Sequence, residues 1–275
     1  MGGVAEMQAR LASAGFVLVC ASCLGTTGGG LVKFDAFASG PPDAKSPLVF
    51  DTRTGFQVTL TSATTHIGAV YLTSSPANAS SQNTSCIEPG QYIAEVPGGV
   101  DVNLLSPTPQ LFSVRGDGSL DIARTGEVWL TGGDINAVDD TTQVVALEGI
   151  ATRRGSSWSF TATVTIGSDR AKAVSDPAQP GLNPICKRRI IVVSPIETPV
   201  APGASLYVRI DPRGWFNSVD FSQLDLIQAT PVPLYRIPNS DNSATTGAAA
   251  GRNLLTGILT GVLPSGVSAI TFEFR

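Results

Sequence analysis

The alternation of apolar and polar residues decides which folds this chain can adopt. From Trp158 to Ile166 every even position is apolar and every odd position is Ser or Thr. Successive side chains of a strand point to opposite faces, so this stretch predicts a β-strand with one buried and one solvent-facing side. The same pattern recurs at Phe56–Leu60, Val100–Leu104, Leu206–Ile210 and Ile270–Phe274. Alternation on one face favours antiparallel pairing over a helix-covered parallel sheet.

Turn residues separate these stretches. The 29 glycines and 19 prolines lie between short apolar segments, which is typical of a chain with many strands. We therefore predict an all-β protein, an antiparallel β-sandwich that is jelly-roll-like or similar, with residues 31–275 as a single domain. Less regular strands are expected at Val32–Ala38 and His66–Leu72, among others. Leu254, Leu255 and Ile258 follow helical spacing and predict at most one short C-terminal helix, which three nearby glycines weaken.

The N-terminal segment has the layout of an export signal. Arg10 precedes an uncharged apolar run, Leu11–Cys20, and the small residues Ala21 and Ser22 follow it. A positive end, a short apolar core and small residues before a cleavage site are typical of a secretory signal peptide. The run is too short for a transmembrane helix. We expect residues 1–22 to be the signal peptide and residues 23–30 to be a flexible tether.

Ala21-Ser22-Cys23, followed by a Gly/Thr-rich stretch, resembles the signal of bacterial lipoproteins. The resemblance is confined to the export segment. It implies that Cys23 becomes the lipid-modified first residue of the mature chain, and that the protein touches a membrane only through this anchor. The alternative is ordinary secretion, with cleavage near Ala21 or Ser22 and no lipid.

Two of the four cysteines remain in the mature domain once Cys20 and Cys23 are assigned to the export segment. An exported protein enters an oxidising compartment, where Cys86 and Cys186 would form a disulfide that closes a very long loop. The alternative is a pair of unpaired buried thiols. Neither cysteine has a Cys or His neighbour at the spacing of a zinc site.

Composition and histidine content exclude several functional classes. The net charge is -4 and no basic stripe is present, which argues against nucleic-acid binding. The chain has a single histidine, His66, and lacks a Gly-x-Ser-x-Gly motif, so a Ser–His–acid hydrolase has little support. A structural role for His66 is favoured over a catalytic one, and the protein is expected not to be an enzyme.

Carboxylate pairs leave one enzymatic alternative open. Glycosidases need two acids at a suitable separation, and spacing along the chain does not show whether two acids converge. The candidates are Glu88, Glu95, Glu127 and Glu148. A secreted glycoside hydrolase is therefore the second alternative.

Two local features suggest a binding module. Asp134, Asn136, Asp139 and Asp140 lie in one short segment, and oxygen ligands of this kind suit calcium, although a simple turn between strands is the favoured interpretation. Trp215 and Phe216 follow a predicted strand, where exposed rings would stack on sugars. Burial of both rings in the core is the favoured alternative.

The sequence thus predicts an exported, non-enzymatic binding or structural protein of the bacterial cell envelope, either lipid-anchored or freely secreted. Its ligand or protein partner in the envelope is unknown, and loops at one end of the sandwich would recognise it. No cofactor is expected apart from calcium. A calcium-dependent or carbohydrate-binding module is the first alternative.

Overall fold

A computed structural model of the protein describes residues 30–76, 92–132, 142–166, 190–239 and 245–275. In these residues seventeen strands form three sheets, so the predicted all-β class is confirmed. No helix in the described ranges is long and apolar enough to span a membrane.

The first sheet has six antiparallel strands, with the spatial order β1-β9-β6-β5-β10-β13. Its strands are β1 (Leu31–Phe34), β5 (Ala69–Thr73), β6 (Tyr92–Val96), β9 (Gly116–Ser119), β10 (Ile122–Leu130) and β13 (Ile190–Pro199). Its longest pairing joins β10 to β13 from Ile122↔Pro199 to Leu130↔Ile190.

The second sheet has seven strands and contains the longest pairings described. In spatial order it runs β15 (Asp225–Gln228), β16 (Leu234–Ile237), β12 (Ser156–Thr165), β11 (Gln143–Arg153), β4 (Gln57–Ile67) and β3 (Leu48–Asp51), and β7 (Val100–Asn103) also pairs with β4. The β12–β16 pair is parallel and the others are antiparallel.

The third sheet is small and has the order β17-β14-β2-β8. Its strands are β2 (Ala36–Ser39), β8 (Gln110–Leu111), β14 (Leu206–Ile210) and β17 (Ile270–Phe274). One continuous cluster of buried apolar residues, from Phe34 to Phe272, draws side chains from all three sheets.

Two predicted strands are divided in the structure. The stretch predicted as one strand at His66–Leu72 breaks at Gly68, where the chain passes from β4 in the second sheet to β5 in the first. A Cβ at Gly68 would overlap the methyl group of Thr131 and lie close to the backbone of Thr131 and Gly132, so the crossing favours glycine. The stretch Val32–Ala38 divides in the same way at Asp35, between β1 and β2.

The predicted helix is confirmed as α1 (Ala248–Thr260). It packs on a short 3-10 helix, Pro212–Phe216. Its glycines, which lower helix propensity, have a packing role. A Cβ at Gly257 would overlap the backbone of Trp215, and a Cβ at Gly251 would overlap the carbonyl oxygen of Pro238.

Replacing Gly257 by alanine is therefore expected to destabilise the protein. Alanine gains up to about 1 kcal/mol of helix propensity. Separating α1 from the 3-10 helix costs more, because overpacking a close contact typically costs about 1–3 kcal/mol and the obstacle here is backbone. Urea unfolding of Gly257→Ala measures the effect, with Thr256→Ala on the exposed side of α1 as the control. Equal or greater stability of Gly257→Ala would contradict this packing role.

Candidate functional site

Three strands of the second sheet end together and form one end of the sandwich. Gln57 of β4 pairs with Asp51 of β3 on one side and with Thr152 of β11 on the other. The β3–β4 turn, residues 52–56, therefore lies beside the β11–β12 turn.

The β11–β12 turn presents an arginine at its tip. Arg153 pairs with Ser156, which leaves Arg154 and Gly155 as a two-residue hairpin loop. Their φ angles are 51° and 81°, as in a type I′ turn. Among the described residues, Arg154 is the one non-glycine residue with positive φ. Asn is favoured at this position over Arg, so the turn alone does not explain the arginine.

Strand alternation carries a second arginine and a tryptophan to the same end. The odd residues of β11 and the even residues of β12 from Trp158 onward face the core. Arg153 is the outermost of these positions in β11, and Trp158 is the first of them in β12, next to the exposed Ser156. The Arg153 guanidinium lies 3.9 Å from the centroid of the Phe56 ring. Trp158 packs edge-on against the same ring, with the centroids 5.5 Å apart. Phe56 is fully buried, so it fixes the orientation of both side chains.

Arg153 and Trp158 form part of the wall of an open cleft of about 550 Å³. The lining consists of Thr54, Gly55, Arg153, Arg154, Ser156, Trp158 and Ser222. A volume of this size is within the range of small-molecule sites, roughly 300–1,000 Å³.

The cleft carries an excess of positive charge. Arg153 Nη2 lies 3.7 Å from Asp220 Oδ1, and Nη1 donates to the carbonyl oxygen of Thr54 at 3.4 Å. Burial works to raise the pKa of Asp220, but hydrogen bonds from Ser222 and the charge of Arg153 lower it overall, so the carboxylate stays ionised. Arg154 forms no salt bridge with any residue that the structure describes. Two arginines and one carboxylate leave about one unit of unbalanced positive charge.

Most of the residues predicted as sites lie outside the described residues. These are Cys23, Cys86, Cys186, Asp134, Asn136, Asp139 and Asp140. The lipid anchor, the disulfide and the calcium site therefore stay predictions. Within the described ranges, no group of three or more His, Cys, Asp or Glu side chains is placed to hold a metal ion.

The prediction that Trp215 and Phe216 stack on a ligand is wrong in this structure. Their exposed fractions are 2% and 0%, and both rings belong to the core. The 3-10 helix Pro212–Phe216 turns them inward after β14, where Phe216 packs against Phe50 and Phe160. The favoured alternative, burial of both rings, is the one observed.

His66 has a structural setting. Its Nδ1 lies 2.7 Å from Asp101 Oδ1, on the neighbouring strand β7. Its Nε2 is buried without a hydrogen-bond partner among the described residues, and the ring packs closely against Gly99. A general base needs Nε2 within reach of a substrate proton, and this packing blocks it.

Two of the four candidate glutamates lie on one face of the first sheet. Glu95 of β6 and Glu127 of β10 flank Tyr71 of β5 on either side. Glu127 Oε2 accepts hydrogen bonds from Trp129 Nε1 at 3.0 Å and from the hydroxyl of Tyr92 at 3.3 Å. Loss of solvent raises the pKa of Glu95, and the charge of Asp117 adds to this. The structure places Glu148 in the other large sheet, and Glu88 lies outside the described residues.

The densest ion-pair cluster of the described residues holds loops together. The Arg213 side chain donates to both carboxylate oxygens of Asp211 and to both of Asp43. Hydrogen bonds from Arg213 lower the pKa of Asp43. Asp211 also caps the 3-10 helix through the backbone N–H of Arg213. Each charged group in this cluster is paired with another, so the cluster has little capacity left to bind a ligand.

Sequence reasoning missed the cleft. Arg153-Arg154 is visible as a short basic pair, and Trp158 is visible as the first apolar residue of the alternating stretch. A signal was present in Arg154-Gly155, because an arginine replaces the usual Asn of a hairpin turn. The contribution of Ser222 and Thr54 comes from distant parts of the chain, and no local pattern predicts it.

The comparisons with known proteins identify one structural neighbour and no family. No protein-family model matches it, and no curated protein does. One similar solved structure is MbnP from Methylosinus trichosporium, with 13% identity over 90% of this chain and 99% of that chain. The TM-score is 0.36, which is too low to support any inference about function.

Proposed function

We propose that the chain is an exported, non-enzymatic binding protein of the bacterial cell envelope, which captures a small anionic ligand in the cleft at the end of the second sheet. The observation that carries the proposal is the pairing of Arg153 and Arg154 in a cleft whose lining contains no acid, with one ion pair among the described residues, that of Arg153 with Asp220. A guanidinium group suits carboxylate, phosphate and sulfate groups, because its planar N–H donors match two oxygens of the anion.

The lining favours binding over chemistry. Arg153 is held by its stack on Phe56 and by two polar contacts, so little side-chain freedom is lost when a ligand arrives. Hydroxyl groups and a tryptophan complete the wall, and none of the lining residues is a histidine, cysteine or acid. Such a site recognises a ligand by charge and shape.

Anion binding is tested by thermal unfolding of the mature protein in acetate or sulfate at constant ionic strength. Ligand that binds only the folded state raises its stability, and millimolar affinity at roughly 50-fold excess gives about 2 kcal/mol. The matched control is Arg154→Asn, since Asn suits the positive φ of the turn and removes the charge. We expect stabilisation in the wild type and a much smaller one in the variant. Equal behaviour of the two proteins would contradict the proposal.

Export and anchoring rest on the N-terminal segment. The apolar run before Ala21-Ser22-Cys23 supports secretion, and lipid on Cys23 would hold the domain at the envelope through the tether of residues 23–30. A single acyl chain anchors weakly, whereas several chains on one residue hold a protein firmly.

One observation favours a second candidate function, hydrolysis by paired carboxylates. Glu95 and Glu127 lie two strands apart, which corresponds to about 10 Å between their backbones. The raised pKa of Glu95 would suit a general acid. Assay of the mature protein against a panel of glycosides tests this candidate. Turnover that Glu95→Gln abolishes would establish it, and absence of turnover on the whole panel would remove it.

A further inference from the structure

We infer that the ligand of the cleft is a sugar that carries a single negative charge, such as a uronic acid or a sugar monosulfate. The inference rests on the proposed function and specifies its ligand class. Three properties of the cleft carry it: fixed hydrogen-bond acceptors, an aromatic wall and a net charge of about one.

Two hydroxyl groups of the cleft act only as hydrogen-bond acceptors toward a ligand, because their protons are used in bonds within the protein. Thr54 Oγ1 donates its proton to the carbonyl oxygen of Val219 at 2.9 Å and accepts from Thr52 Oγ1 at 2.9 Å, which leaves it one free lone pair. Ser222 Oγ donates to Asp220 Oδ1 at 2.7 Å. A hydroxyl has one proton and two lone pairs, so each oxygen can offer the cleft only an acceptor. A ligand that satisfies them must bring its own O–H or N–H donors.

A simple anion does not meet this requirement. Acetate and sulfate have acceptors that suit the arginines, and no protons for Thr54 Oγ1 or Ser222 Oγ. Displacing water from an acceptor without replacing its hydrogen bond loses affinity. A sugar acid brings both groups on one ring, with an anionic oxygen for Arg154 and several hydroxyl donors for Thr54 and Ser222.

Trp158 supplies a rigid apolar wall beside these polar groups. The side chain is partly exposed and lines the cleft, and its edge-on contact with Phe56 holds the ring in place. A pyranose ring has an apolar face of C–H groups, which packs on an aromatic surface, and a polar rim. The cleft volume of about 550 Å³ accommodates one or two sugar rings.

The charge balance limits the ligand to one anionic group. Asp220 offsets part of the Arg153 charge, and Arg154 at the tip of the turn forms no ion pair with a described residue. A second anionic group would face Asp220 without a cation of its own. Polyanionic ligands are therefore expected to gain little over a monoanionic sugar.

Calorimetric titration of the mature protein separates these features. The probes are D-glucuronate, glucose 6-sulfate, D-glucose and acetate, all at one ionic strength. We expect both charged sugars to bind at least about tenfold more tightly than glucose or acetate. Glucose lacks the anionic group for Arg154, and acetate lacks the hydroxyl donors for Thr54 and Ser222. Arg154→Asn is expected to weaken glucuronate about tenfold and to leave glucose unchanged.

A second variant tests the acceptors. Ser222→Ala removes one acceptor that faces the cleft and is expected to weaken glucuronate several-fold without changing acetate. If acetate binds the wild type as tightly as glucuronate, the sugar inference is overturned and anion binding stands. If glucuronate and glucose bind equally tightly, the anionic group contributes nothing, and both the proposed role of Arg154 and the inference of a charged sugar are overturned. If no probe binds, both the inference and the proposed function fail.

Discussion

Replacing Phe216 by alanine is expected to destabilise the protein by about 3–5 kcal/mol, the typical cost of removing a fully buried phenylalanine. The ring is 0% exposed and lies within 6.0 Å, centroid to centroid, of Phe50, Phe160 and Phe221. The first two belong to the second sheet, so Phe216 fixes the 3-10 helix against it. Loss of the ring leaves a cavity that fixed strands cannot collapse around.

Urea unfolding of Phe216→Ala measures the loss. Phe216→Leu is the graded control and should cost less, because it leaves a smaller cavity. Leu226→Ala, at a 54% exposed position, should change stability by about 0.5 kcal/mol or less. If Phe216→Ala unfolds at the same urea concentration as the wild type but no longer binds a sugar, the ring is a ligand contact and the core assignment is wrong.

Loss of either Cys86 or Cys186 is expected to cost about 4–5 kcal/mol if they form the predicted disulfide. The estimate follows from the very long loop that the bond would close in the unfolded chain. Both residues lie outside the described residues, but the strands next to them are placed. Cys86 lies between β5 and β6, Cys186 lies shortly before β13, and both β5 and β13 pair with β10.

Intact-mass analysis of the protein recovered from bacterial cells tests the proposed disulfide and lipid anchor together. Reduction of a disulfide increases the mass of the protein by two hydrogens. The Cys86→Ser protein should show no such increase and should be less stable. Acylation at Cys23 adds the mass of fatty chains to a protein that begins at that residue. A mature protein that starts near Ala21 or Ser22 without lipid would establish ordinary secretion, and two free thiols before reduction would contradict the disulfide.

The fold class was predictable because alternation and burial coincide. Phe160, Ala162 and Val164, taken from the alternating stretch, are each buried in β12. The sheet crossing at Gly68 was not predictable, because both flanking segments favour strands and the constraint is the distant Thr131. The α1 glycines looked unfavourable for the same reason, since their benefit lies in contacts with Trp215 and Pro238.

The candidate site was harder to predict than the fold. The clustered aromatic residues offered Trp215 and Phe216 as candidate ligand contacts, but a turn of 3-10 helix buries both rings. The alternating pattern predicts Trp158 as a core residue, and its partial exposure arises because it is the first core-facing residue of β12, close to the turn. An end of a sandwich is defined by which turns meet there, and this depends on long-range pairing.

Amide-resolved NMR of the mature protein during titration with D-glucuronate tests the assigned cleft most directly. Binding in the cleft should shift resonances in the turns at residues 52–56 and 152–158 and near Ser222, together with the Trp158 indole N–H. The Arg154→Asn protein should show these shifts only at much higher ligand concentration. Shifts confined to another part of the molecule, or shifts that Arg154→Asn leaves unchanged, would contradict the assignment of this cleft as the binding site.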